Sequence, residues 1–293
     1  MRTAIKSYSV GSHLFAIEAE ESIFSQLSNY TPFETDKISE THVFIIHVSD
    51  EPIPLTEGWQ SIHIDKADED MPRIEMYRKD GEWLFLISMY RESEIVCALH
   101  CTADWSDVKV SMKSGYERFA INNAAMLAYA FRTTTMHTLL IHASVIVRDG
   151  KGYLFVGHSG IGKSTHSQMW LEAFTDAYLL NDDNPVVRLF DEGSVYVYGS
   201  PWSGKTACYI NKKAPVAALV QLAQAPYNKI ELLRMTQAYP YILSSVSGLK
   251  IMPDAMNDIS KSITMLLECC PVYCLECLPN RDAARLCAQT CSL

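Results

Sequence analysis

The sequence predicts an α/β core preceded by a smaller α+β domain, and three observations carry that expectation. From residue 138 onward, short β-rich runs alternate with segments of helical spacing: "TLLIHASVIV", "GYLFV", "KSTHSQMWLEAF", "AYLLNDD", "VYVYG", "MNDISKSITMLLECC" and "PVYCLECL". The first 110 residues lack that alternation and read as a hairpin with isolated strands. Between the two, "GYERFAINNAAMLAYAFRTTT" is long enough for one helix that connects them. The expected division is a small mixed domain over residues 1–110 and the α/β core over 111–293, without an internal repeat.

In the N-terminal part, "ESIFSQLSNY" suits a short helix and "THVFIIHVS" a strand. "RIEMYRKDGEWLFLISMY" reads as a hairpin, because Asp80-Gly81 between two β-rich runs is a strong turn signal. "EIVCALH" is a further strand, and nothing in this region suggests chemistry. In the core, "TLLIHASVIVRDGKGYLFVG" is a strand, a turn through Asp149-Gly150 and Lys151-Gly152, and a second strand. "APVAALVQLAQA" mixes strand and short helical character, while "NRDAARLCAQTC" closes the chain as a helix.

A chain of 293 residues with 48% hydrophobic and 20% charged residues can bury a sizeable core and lies outside the disordered class. Its formal net charge of −9 gives no support to a nucleic-acid or anionic-membrane partner. No apolar run approaches the roughly 18 residues of a membrane span, and the N-terminus lacks the apolar stretch of a signal peptide. A cytoplasmic location is expected. Nine cysteines, an odd number without an export signal, do not make a disulfide framework. Cys274 and Cys277 have CxxC spacing, and zinc would need two more ligands. Small apolar thiols packed in a final strand and helix fit the surrounding pattern better.

The stretch "LFVGHSGIGKSTHSQMW" carries the chemistry. Gly157, Gly162, Lys163 and Ser164 complete the GxxxxGK[ST] pattern, with Gly160 as an extra glycine. Glycines let the backbone curl so that successive N–H groups converge on phosphate oxygens. The following helix offers unpaired N–H groups and the positive end of its dipole. Lys163 can reach the β- and γ-phosphates, and the Ser164 hydroxyl can ligate Mg2+. The expected nucleotide cradle is Gly157, His158, Ser159, Gly160, Ile161, Gly162, Lys163, Ser164 and Thr165, with ATP and Mg2+ as cofactors.

Further on, "AYLLNDDNPVV" is an apolar strand ending in Asn181, Asp182 and Asp183. If the helix after the glycine loop crosses back over the sheet, that strand ends beside the phosphates. The paired aspartates would then supply a metal ligand and a second carboxylate to orient or deprotonate a hydroxyl. In isolation, an Asn-Asp turn that merely closes a strand explains the same residues. In "GSPWSGKTACYINKKAP", Trp202, Ser203 and Lys205 could shape an acceptor pocket, or form a surface turn with the indole packed beneath it.

With these residues in order, the chain resembles the catalytic domain of HPr kinase/phosphorylase and its wider set of HPr-kinase-like serine kinases, a fold related to the phosphoenolpyruvate carboxykinase core. The histidine in "LLIHASVIV", the loop "GHSGIGKST" and the early "NDD" carry the resemblance, which extends over about residues 130–290. It implies His142 near the reacting phosphate, Asp182 as general base, Asp183 with Ser164 at the metal, and Lys163 neutralising developing charge. "PWSGK" resembles the family's proline-tryptophan segment, which implies Lys205 on the acceptor side with Trp202 and Ser203. By itself, His142 reads first as a satisfied strand histidine. Thr165 and His166 stand where the bifunctional enzymes usually carry a glutamate, and the phosphorolysis segment "EIRGLG" has no counterpart.

The expected activity is a Mg2+-dependent kinase acting on a hydroxyl acceptor, foremost a serine of a protein or peptide. A small-molecule acceptor, a nucleotide-gated binding module and a zinc-supported adaptor are the alternatives. The family's enzyme is hexameric, so the resemblance is compatible with a homo-oligomer.

Overall fold

The computed structural model describes residues 2–36, 41–64, 72–89, 94–204, 206–248 and 250–291. Two compact units are present. The first takes the chain up to Arg132 apart from Val10–Ser12; the second takes those three residues and the chain from Thr133.

The first unit is a mixed eight-stranded sheet with one long helix. Its elements are β1 (Thr3–Val10), β2 (His13–Glu20), α1 (Glu21–Phe24), β3 (Ile45–Ser49), β4 (Gln60–Ile64), β5 (Arg73–Lys79), β6 (Glu82–Ser88), β7 (Ile95–Cys101), β8 (Asp107–Met112) and α2 (Glu117–Thr134). The strand order is β1-β2-β3-β8-β7-β6-β5-β4. Both central residues of the β5–β6 turn, Asp80 and Gly81, have positive φ (52° and 92°), as a primed two-residue turn requires. Ala120, Ile121, Ala124, Ala125, Ala128 and Tyr129 recur at helical spacing on α2 and are all buried. Small alanines on that stripe let the helix approach closely, while Phe131 at its end stacks on Trp105 at 4.9 Å.

The second unit begins with β9 (Thr138–Leu140), β10 (Ala143–Arg148), β11 (Lys151–Val156), α3 (Lys163–Ala173), β12 (Tyr178–Asp183), β13 (Val186–Leu189) and β14 (Val195–Tyr198). It continues with β15 (Lys213–Gln224), β16 (Lys229–Leu232), α4 (Met235–Ser245), α5 (Pro253–Cys269), β17 (Val272–Cys277) and α6 (Arg281–Cys291). The nine strands form one mixed sheet in the order β12-β10-β11-β15-β14-β13-β9, with β17 also paired to β15 and β16 to β17. β15 runs parallel to β11 and to β17. β10 is antiparallel to both β11 and β12, so β11 and β12 point the same way with β10 between them. The β10–β11 turn places Asp149 and Gly150 at φ 50° and 74°, the same primed geometry as in the first unit.

Side-chain alternation explains the layers. Along β11, Leu154 and Val156 enter one core with Ile242 of α4 and Ile263 of α5. Tyr153 and Phe155 point to the other face and join Trp170 of α3 and Ala284 and Cys287 of α6. β15 repeats the pattern, with Leu219 on the first face and Ala218, Val220 and Leu222 on the second. Both faces are buried, which is why the 214–225 stretch shows no clear period and yet forms a twelve-residue strand. Each Leu, Ile, Val or Phe among them contributes about 1.5–3 kcal/mol on burial.

Cys287, Ala288 and Cys291 are buried on the inner stripe of α6, so these cysteines serve as small packing residues, as expected. Cys274 and Cys277 are half-buried, Cys269 is exposed, and all nine thiols are free. Among the described residues no cluster of three or more His, Cys, Asp or Glu forms a metal-ligand set.

Candidate functional site

The site lies in the second unit, where β11 ends and α3 begins. Gly157 and Gly162 bound the intervening turn at φ 147° and 112°. A Cβ at Gly157 would also stand 3.0 Å from the Ile161 side chain, a tight contact that adds to the strain of its positive φ. Within the turn, Ile161 N–H donates to His158 O at 3.3 Å, and His158 Nδ1 approaches Ser159 O at 2.7 Å. His166 N–H donates to Gly162 O at 2.8 Å, closing the first helical turn. The N–H groups of the preceding residues therefore have no intrahelical acceptor and point out of the helix start.

Lys163 Nζ folds back over this turn and donates to Gly157 O at 2.9 Å and His158 O at 3.2 Å. Burial lowers the pKa of this ammonium, and Asp183 and then Asp182 act in the opposite direction. The helix α3 crosses to β12, whose end lies beside the turn. There Ser164 Oγ donates to Asp182 Oδ1 at 2.9 Å, and His142 Nδ1 lies 2.7 Å from Asp183 Oδ1. Asp182 is only 6% exposed, whereas the side chains of His142 and Asp183 remain 39% and 31% exposed.

Asn181 is the organiser that its place in "NDD" did not reveal. Fully buried, it accepts from Asp183 N–H at 3.1 Å and donates from Nδ2 to Ser200 Oγ at 3.1 Å and Trp202 O at 3.2 Å. Gly204 N–H donates to Asp182 O at 2.8 Å, and Ser203 pairs with Asp183 as an isolated bridge. The segment from Ser200 to Gly204 is thus tied to the end of β12. Ser203 comes beside the aspartates, with its hydroxyl bonded to Thr206 O. Trp202 is 2% exposed, so its indole is packed inside rather than offered as a surface platform. Lys205 lies outside the described residues.

Two cavities flank the start of α3. One, of about 350 Å3, is lined by His142, Ser159, Lys163, Ser164, Asp182 and Asp183, and so gathers most of the residues expected from sequence. The other, of about 650 Å3, lies beyond the turn against Leu222–Pro226 and Cys277–Pro279. It also takes in His166, a residue that no motif marked as part of a site. Trp170 Nε1–H donates to His166 Nε2 at 3.1 Å, and burial pushes the imidazole down to about 4. The larger cavity could not be read from a motif, since its walls come from three separated and mostly apolar segments.

The unit is thus an α/β protein with a mixed sheet, bearing a strand–glycine turn–helix next to a strand that ends in two carboxylates. No protein-family model matches the chain. No curated protein matches it. Among solved structures, it is remotely similar to the Hpr(Ser) kinase/phosphatase from Coxiella burnetii, at 14% identity and a TM-score of 0.30 over 51% of this chain and 86% of that one. Among the described residues no helix is long and apolar enough to cross a membrane.

Proposed function

We propose that the chain is a Mg2+-dependent kinase that moves the γ-phosphoryl group of ATP to a hydroxyl acceptor, a serine of a protein or peptide. One observation carries this reading. The start of α3, with Lys163 and Ser164, and the two carboxylates of β12 open into the same cavity of about 350 Å3. A glycine turn alone would bind phosphate; the adjoining carboxylates add a means of handling a hydroxyl proton.

The donor set suits magnesium. Ser164 Oγ and the Asp182 carboxylate are hard oxygen donors in contact, and Mg2+ completes its shell with phosphate oxygens and water rather than an all-protein cage. When bound, it would neutralise and orient the phosphates. The turn's N–H groups and Lys163 would hold the phosphate chain and oppose its charge. Asp183, held by His142 and open to the cavity, would take the hydroxyl proton. This exchanges the roles that the resemblance implies for the two aspartates, because Asp182 is buried and already bonded to Ser164. The partial exposure of His142 and Asp183 leaves room for a side chain presented by a larger molecule. Lys205 is proposed as an acceptor-side cation only on the likeness of "PWSGK" to the family's proline-tryptophan segment.

Transfer from γ-labelled ATP with Mg2+ to soluble extract, split into macromolecular and small-molecule fractions, tests the proposal. Label should enter the macromolecular fraction with wild type and with neither Lys163→Ala nor Asp182→Asn. Label confined to small molecules would reject the peptide acceptor. Tight nucleotide binding without transfer to either fraction would replace the kinase by a nucleotide-gated binding module.

A further inference from the structure

We infer that the cavity of about 650 Å3 beyond the glycine turn houses the nucleoside of the phosphoryl donor, and that it takes a purine by apolar enclosure without a carboxylate to select guanine. The inference rests on the kinase reading and adds to it where the donor's other end lies and how its base is recognised.

The polarity of the donor follows from the two cavities. Gly160, Gly162 and Thr165 line both, so a phosphate chain held at the start of α3 has one end open to each. The transferred phosphoryl group must face Lys163 and the carboxylates, which line only the smaller cavity. The remainder of the donor then extends into the larger one. That cavity lies at the C-terminal ends of the parallel strands β15 and β17, where open α/β sheets place their ligands. Its volume is that of an ordinary small-molecule site, whereas a donor of phosphate alone would leave it unused.

The walls specify the chemistry. Leu222, Ala223, Pro226, Leu278 and Pro279 present apolar surface suited to the faces of a flat ring. Leu278 is fixed by its own N–H, which donates to Asn228 Oδ1 at 2.8 Å. No Asp or Glu lines the cavity, so it has no carboxylate to pair with the N1–H and amino group of guanine. His166 in the wall is 3% exposed. Because its Nε2 accepts from Trp170, the neutral ring carries its hydrogen on Nδ1, and that N–H has no partner among the described residues. That nitrogen is itself buried, so His166 contributes a ring edge to the wall and no donor that reaches the base.

Cys277 lines the cavity, while Cys274, another half-buried thiol on β17, does not. Alkylation by N-ethylmaleimide, read residue by residue by mass spectrometry, would be compared without ligand, with MgATP, with MgGTP and with magnesium tripolyphosphate. Saturating MgATP should slow Cys277 at least about five-fold and leave Cys274 unchanged, and tripolyphosphate should protect neither. MgGTP should also protect Cys277, with affinity within about ten-fold of MgATP. In calorimetry, Ala223→Trp, which fills the cavity, should weaken ATP at least about ten-fold and leave tripolyphosphate binding unaltered. Calorimetric ATP binding with Cys277 alkylated at its unliganded rate, or with Ala223→Trp without effect, overturns the inference and leaves the kinase reading standing. Equal protection by tripolyphosphate overturns it too. Absence of Lys163-dependent binding of either ligand would remove the kinase reading, and this inference with it.

Discussion

Ser164 Oγ and Asp182 Oδ1 lie 2.9 Å apart although 18 residues separate them in sequence. Helix α3 carries the chain from the end of β11 to β12, which runs in the same direction with β10 between them. The hydroxyl of the glycine turn and the carboxylate of the next-but-one strand therefore meet at the same end of the sheet. A metal that takes oxygen ligands would find both there. Ser164→Ala should lower transfer by about 10- to 100-fold and raise the Mg2+ concentration needed for half-maximal rate. An unchanged magnesium titration would place the metal elsewhere.

The His142–Asp183 pair makes a separate prediction. Asp183→Asn removes the proposed proton acceptor and should reduce kcat by about 10²- to 10⁴-fold while the KM for ATP changes little. His142→Gln should fall in the same direction but less, because it only positions the carboxylate. If Asp182→Asn alone abolishes kcat and Asp183→Asn is nearly active, the proton acceptor is Asp182 instead.

Gly162 tests the turn itself. A Cβ there would meet nothing within 4 Å, so space is not limiting, but φ is 112°. Gly162→Ala should therefore destabilise the fold by about 1–3 kcal/mol through backbone strain and weaken phosphate binding by re-aiming the first N–H groups of α3. Urea unfolding and tripolyphosphate calorimetry on the same variant read the two effects separately. Wild-type values in both would show that the turn tolerates an L-residue at this angle.

His166 gives a pH dependence. Its pKa falls from 6.5 to about 4 because burial disfavours the imidazolium. Between those values the unfolded chain binds a proton that the folded chain refuses. The stability linked to neutral burial is complete above about pH 6.5 and is lost as the pH falls toward 4. The full linkage is on the order of 3 kcal/mol, of which about 2 kcal/mol falls between pH 7 and pH 5. Wild type should lose that increment in urea unfolding, and His166→Gln should lose correspondingly less. Parallel losses in the two proteins would rule out His166 as the titrating group.

Local signals in the sequence were legible where one or two residues decide the backbone. Asp80-Gly81 and Asp149-Gly150 specify primed turns because both positions tolerate positive φ, and the structure contains both, whereas Lys151-Gly152, also expected in the second turn, begin β11. The helix over Glu117–Thr134 and the closing strand and helix follow from their spacing. β1, β2, β4, β8, β16 and α4 had no comparable signature. The strand character of Lys213–Gln224 was hidden because it is buried on both faces, which removes the alternation that marks a half-exposed strand.

The sequence by itself determined which groups are available: a glycine turn with Lys163 and Ser164, a strand ending in Asp182 and Asp183, and His142, which was expected within one strand and instead lies in the break between β9 and β10. Only the tertiary structure decided their partners. Sheet order brought Asp182 to Ser164 and Asp183 to His142, and the Asn181 bonds folded Trp202 inward while drawing Ser203 and Gly204 to the aspartates. It also made the larger cavity from Ile161, Leu222 and Leu278, residues with no motif in common. The physical reason is range. A turn or a helix start is fixed by sterics and hydrogen bonds among neighbours in the chain. Which side chains face one another across a cavity is fixed by strand pairing and by the burial of two apolar faces, which involve the whole sheet at once.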